Sequence, residues 1–190
     1  MSFRIRKIKG VAELLRFRAL IGRQDLPMRY LHKSRCFGFF KNRNPIAGYC
    51  LSYRPIEQMS VIQQIPSHLR KNLINEDPFK YVEFTGYFLN TKKYAFWFKL
   101  HLVIRLLSHK ASYVVYSYLA EHAKLDAFYR TGNPLRLYSG IPESSSSHLP
   151  VTVNVEILSK WGVMKIVFNQ IKKEIRTRIK KVAERFGKQN

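Results

Sequence analysis

Apolar positions along this chain alternate, then recur at helical spacing, then alternate again, and the switches mark its elements. "FRIRKIK" sets Phe3, Ile5 and Ile8 loosely among cations and predicts a short strand. After Gly10, "VAELLRFRALIG" places Val11, Leu14, Leu15, Ala19 and Leu20 on one helical face and stops at Gly22. Two apolar runs in "SRCFGFFKNRNPIAGYCLSYRPI" are joined by the turn-rich "KNRNP", which predicts a β-hairpin. From Glu57 to Pro78 the periodicity fades into a connector with a short helical middle around Leu69 and Leu73. "FKYVEFTGYFLN" is a strand with Gly86 placed as a bulge, and "TKKYAFWFKLHLVIRLLSHK" is a largely buried helix. "ASYVVYSYL" reads as a buried strand, "AEHAKLDAFYRTGN" as a helix with a Gly-Asn stop, and "PLRLYSGI" as a strand. The serine-rich "PESSSSHLP" reads as a mobile loop and "VTVNVEIL" as a last strand. In the final helix Met164, Phe168, Ile171, Ile175, Ile179, Val182 and Phe186 recur at helical spacing against a face of Lys and Arg.

This order predicts an α/β fold: a mixed, largely antiparallel sheet with a central parallel strand pair and helices on both faces. The parallel pair belongs to the β-α-β-α run from Phe79 to Gly132, whose crossover leaves a crevice at the strand ends. Residues 1–162 form one domain, and 163–190 a basic amphipathic helix appended to it.

Composition narrows the partners. In 190 residues, 34 Lys and Arg stand against 12 Asp and Glu, a formal charge of +22 that attracts polyanions. Nucleic acid, an anionic membrane surface and an acidic carrier protein all fit that field. The two cysteines, Cys36 and Cys50, lie in apolar runs and read as buried free thiols of a reducing compartment. The basic N-terminus lacks an apolar secretory core, so a cytoplasmic location follows. The run from Tyr94 to Ser108 carries Lys99, His101 and Arg105 and is shorter than the ~20 residues of a membrane span.

The block of strand, loop, helix, strand and helix ending in tyrosine resembles the GCN5-related N-acetyltransferase superfamily. Within it, the long-chain N-acyl amino acid synthases and acyl-homoserine-lactone synthases are nearest in character. Ile46-Ala47-Gly48-Tyr49 looks like the opening of that family's third strand, and "VEFTGYFLN" like its fourth. "HAKLDAFYRTGN" is similar to its "N-x-x-A-x-x-x-Y-x-x-x-G-F" segment, with Tyr129 at the tyrosine and His122 where asparagine is usual. The family's glycine-rich pyrophosphate loop corresponds to "NTKKYAFWF", which has no glycine.

The resemblance implies N-acyl transfer from a thioester, acyl-CoA or an acyl-phosphopantetheine on an acidic acyl carrier protein, to an amine-bearing small molecule by direct attack. No permanently bound cofactor and no metal are implied. The donor would lie along Phe88, Asn90, Lys92, Lys93 and Tyr94, with charge from the two lysines and N–H groups from the helix start. Tyr129 is then the candidate acid, although a helix-end tyrosine packed on the sheet has the same spacing. Glu83 is the candidate base, a carboxylate in an aromatic strand whose pKa desolvation would raise. An ordinary solvent-facing strand glutamate reads identically. By alternation Glu83 shares a face with Tyr81, Thr85 and Tyr87. His101 and His122 are assisting groups or simply satisfied helix histidines.

No Cys/His set has zinc spacing, no Walker loop occurs, and "YSGIP" lacks a nucleophile elbow. The stripe in 165–188 closes the core or lies on an anionic membrane. The alternative function is a basic nucleic-acid-binding protein without catalytic activity, reading phosphates with its cations and bases with its aromatics.

Overall fold

The computed structural model describes residues 3–22, 26–41, 44–70, 77, 80–90, 94–143 and 151–186, apart from the side chains of Phe3, Glu174, Arg178, Lys181, Val182, Arg185 and Phe186. The strands are β1 (Phe3–Lys7), β2 (Arg35–Lys41), β3 (Asn44–Ser52), β4 (Tyr81–Leu89), β5 (Tyr113–Leu119), β6 (Leu135–Gly140) and β7 (Val153–Ser159). The helices are α1 (Val11–Leu20), α2 (Met28–His32), α3 (Ser67–Arg70), α4 (Ala95–Leu107), α5 (Ala123–Arg130) and α6 (Lys160–Phe186). They form one seven-stranded sheet in the order β1-β2-β3-β4-β5-β7-β6. Only β4 and β5 run parallel. The mixed sheet expected from the alternation is therefore present.

Strand alternation divides the core between the two faces. On one, Phe39, Tyr49, Leu51 and Val82 of the sheet meet Phe98 and Leu106 of α4 and Val163 and Ile166 of α6. On the other, Leu14 and Phe17 of α1 and Tyr30 and Leu31 of α2 cover Cys36, Phe40, Cys50 and Phe88. A fully buried side chain of this size contributes roughly 1.5–3 kcal/mol, so both layers contribute to holding the sheet between them.

Several expectations shift. Of the expected face, Val11, Leu15, Ala19 and Leu20 are exposed and Leu14 alone is buried, joined by Phe17. Phe17 is chosen by the surface opposite it. Gly48 leaves a gap on β3 in which the Phe17 and Phe88 rings meet edge to face at 6.0 Å, and a Cβ there would stand 2.6 Å from Phe88 and 2.8 Å from Phe17. The connector after Ser52 packs into the core. Ile56, Met59, Val61, Ile62 and Ile65 are all buried, in two short 3-10 turns that cap Val115, Val155 and Ile157. Cys36 and Cys50 face each other in register as buried free thiols with their sulfurs 3.3 Å apart. α6 starts at Lys160, directly after β7, and runs for 27 residues.

Candidate active site

β4 and β5 are paired at only three positions, Tyr81 with Tyr113, Val82 with Val114 and Glu83 with Val115. Beyond them the two strands part, while β4 stays paired with β3 and β5 with β7. Parting is favoured by a bulge. Tyr87 is opposite Tyr49 and Thr85 opposite Cys50, which leaves Gly86 as the extra residue with a left-handed φ of 73°. Glycine adopts that conformation without a Cβ penalty. The bulge also resets the alternation. Tyr87 comes to the same face as Phe84 and Phe98, with ring centroids at 6.3 and 5.3 Å, and away from Glu83. The sequence pattern located the bulge but not this change of face.

The wedge opens into a cavity of about 800 Å³, walled by Phe84 and Tyr87 of β4, Leu100 and Val103 of α4, Tyr116 and Tyr118 of β5, and Phe128 and Tyr129 of α5. α6 closes it with Val163, Ile166 and Ile171. The lining is mostly apolar, and its cations are Lys99, Lys124 and Lys173.

Three phenols meet on this wall. The Tyr129 ring lies 4.3 Å from that of Tyr116 and 5.4 Å from that of Tyr118. Their hydroxyls differ in what they do. Tyr116 donates to buried Glu156 at 2.9 Å. Tyr118 donates to Asp126 at 2.8 Å, with Glu156 at 3.1 Å as its other acceptor. Arg136 completes this cluster through Glu156 and Asp126, both at 2.8 Å. The cluster thereby ties α5 to β5, β6 and β7. Among the described residues, the Tyr129 hydroxyl has no hydrogen-bond partner.

Burial, and then the neighbouring Tyr87, Tyr118 and Glu156, push the Tyr129 phenol above its ordinary value. It therefore stays protonated at neutral pH and is equipped to give a proton rather than take one. Gly132, one turn on, is required by packing: a Cβ there would stand 2.8 Å from the carbonyl oxygen of Gly162 at the start of α6. The left-handed stop of α5 is Asn133, with φ 55°.

Glu83 occupies a different place. It is the last paired residue of β4, but its side chain is fully buried against α2 and the 3-10 connector. It accepts from the Tyr30 hydroxyl, the Ser60 and Val61 N–H groups at 3.2 and 2.9 Å, and the Ser60 and Thr85 hydroxyls at 2.6 and 2.9 Å. It does not line the cavity that holds Tyr129, so the fold does not bring these two candidates together. Of the five donor-binding candidates, Phe88 is buried against Phe17 on the α1 face, and the N–H of Asn90 is bonded to the Ile46 carbonyl at 2.9 Å. Tyr94 caps the start of α4 through its carbonyl, which accepts from Phe98. Lys92 and Lys93 lie outside the described residues. His101 is engaged with the Tyr49 hydroxyl at 2.8 Å, whereas His122 lines the cavity at the start of α5.

Sequence reasoning missed Tyr116, Tyr118, Glu156, Asp126 and Arg136. Alternation does put Tyr116 and Tyr118 on opposite-parity positions from Val115, but nothing local says that both face a void.

No protein-family model matches this chain, and no curated protein matches it by sequence. Solved structures do. An N-acyl amino acid synthase from uncultured soil microbes, FeeM, aligns over 84% of this chain and 93% of its own with a TM-score of 0.57 at 13% identity. A Bacillus subtilis acetyltransferase in complex with CoA aligns over 83% and 99%, TM-score 0.52, at 12% identity. The ribosomal-protein-S18-alanine N-acetyltransferase of Escherichia coli aligns over 83% and 94%, TM-score 0.52, at 9% identity. At such identities the likeness is one of architecture. With its parted parallel pair and matching span, the chain has the fold of the GCN5-related N-acetyltransferases.

Proposed function

We propose that this protein is an N-acyltransferase that moves an acyl group from a thioester, acyl-CoA or acyl carrier protein, to an amine by direct attack. The observation that carries the reading is the Tyr129 phenol, without a described hydrogen-bond partner, in an apolar cavity that opens where β4 and β5 part. In the reaction the amine nitrogen bonds to the thioester carbon, the C–S bond breaks, and the departing sulfur takes the Tyr129 proton. The proton shed by the nitrogen restores the phenol. A placed proton donor is worth ~10²–10⁴-fold in rate. The β4 edge beyond Glu83, freed from β5, offers backbone N–H groups to the developing oxyanion.

Ligand cavities span roughly 300–1,000 Å³, and at about 800 Å³ this one exceeds what a two-carbon group requires. Its apolar walls suit a long acyl chain. Lys99 and Lys124 on the lining, with Lys92 and Lys93 nearby in sequence, supply charge for a phosphate-bearing donor. An acidic carrier protein would meet the +22 surface favourably. A long-chain N-acyl product partitions into bilayers, which fits a peripheral membrane association through the last helix.

The test is thiol release from acyl-CoAs of graded chain length in the presence of an amine panel, with products identified by mass spectrometry. Release that depends on both amine and Tyr129 supports the reading. No thiol release from any donor, or release unchanged in Tyr129→Phe, rejects it.

A further inference from the structure

α6 is apolar on two sides. Val163, Ile166 and Ile171 face the cavity. At about 100° per residue, a second stripe lies nearly opposite Val163 and Ile166, with Ile171 at its inner edge. That stripe holds Trp161, Met164, Phe168, Ile175 and Ile179, with 64, 42, 75, 52 and 63% of their surfaces exposed. Met164, Phe168, Ile175 and Ile179 belong to the stripe whose sequence pattern fitted core closure equally well, and the fold turns them outward while Ile171 of the same stripe lines the cavity. Lys165, Lys172 and Arg176, all exposed, follow along one of its edges. From 160 to 186 the helix carries nine Lys or Arg and two Glu. No helix among the described residues is long and apolar enough to cross a membrane.

The geometry points to a docking surface on α6 for anionic lipid: the helix lies in the bilayer interface with Phe168 and Ile175 among the acyl chains and its lysines at the headgroups. Charge complementarity selects this occupant. A second copy seated on the same stripe would bring another cationic edge and another body of charge +22 against the first. An anionic surface draws each Lys or Arg near it with an attraction that ionic strength screens. Because the inner side of the same helix walls the cavity, docking sets that wall against the lipid. Docking does not depend on acyl transfer, and it is measured without donor or acceptor.

The experiment uses the full chain carrying Trp97→Phe, so that Trp161 is its sole indole, titrated with vesicles of phosphatidylcholine alone or with one third phosphatidylglycerol. Binding to the anionic vesicles with a blue shift of Trp161 emission, weakening as salt rises, is the expected result. Phe168→Glu with Ile175→Glu should abolish it while circular dichroism stays unchanged, and Lys165→Gln with Lys172→Gln should weaken it by about 25-fold, or fivefold per cation. Should the glutamate pair fail to fold, quenching of Trp161 in the Trp97→Phe protein by brominated lipid reads the same contact. Absence of a shift, equal binding to uncharged vesicles, or a stripe-dependent doubling of mass in light scattering would overturn the proposal.

Discussion

Replacing Glu83 by glutamine separates a structural carboxylate from a chemical one. In the protein its two oxygens accept from two backbone N–H groups and three hydroxyls. A glutamine amide accepts through one oxygen only. If its NH₂ stands at the Oε2 position, the Tyr30 hydroxyl can turn to accept from it, but the Ser60 N–H is left with only the Tyr30 oxygen, at 3.5 Å. A buried donor left with so long a bond costs up to the roughly 1–3 kcal/mol of an orphaned one, and each bond that loses its charge loses roughly a further 0.5–1 kcal/mol. The sum is about 4 kcal/mol, or a fall of ~8–16 °C in Tm for a chain of this size. The assay pairs a thermal melt with thiol release normalised to folded protein. We expect the full drop in Tm with turnover of the folded fraction within about threefold of the parent, since the group does not reach the cavity and so takes no part in the proton transfer. A Tm unchanged within about 2 °C together with a ~10²-fold loss of kcat would refute the reasoning and make Glu83 the base.

Other outcomes follow from the same geometry. Tyr129→Phe should lower kcat by ~10²–10⁴-fold with little change in KM. It should also leave Tm nearly unchanged, because the lost hydroxyl has no described partner. Since burial raises this phenol, the parent's alkaline activity should not fall at pH ~10 through loss of the acid. Gly86→Ala meets both a left-handed φ of 73° and the Ile21 side chain at 2.5 Å from the new Cβ. It should cost about 1–3 kcal/mol in urea unfolding, and Ile21→Ala should recover the steric part while the backbone part remains. Asp126 is held down to about 2, first by the Arg130 guanidinium, then by the Tyr118 hydroxyl and Arg136. A depressed carboxylate gives stability that is complete above its unfolded value near ~4 and lost as pH falls toward the folded one. Tm should therefore fall between pH 4 and 2, and Asp126→Asn should flatten that limb.

The sequence by itself settled the seven strands and most of the helices, though not α2, together with the bulge at Gly86 and the parallel crossover that makes a wedge available. These are matters of local periodicity and glycine conformation, written in neighbouring residues. The resemblance to the acetyltransferase superfamily, and not the spacing alone, singled out Tyr129. Only the tertiary structure decided which face each side chain takes. One extra residue at Gly86 moved Tyr87 to the opposite side of the sheet from Glu83, and a connector without periodicity became the lid over that carboxylate. The Glu156, Asp126 and Arg136 cluster joins β7, α5 and β6, elements whose meeting no local pattern encodes. α6 shows the limit most plainly: its two apolar stripes have the same helical spacing, and burial on the sheet is what turned Val163 inward and left Phe168 in solvent.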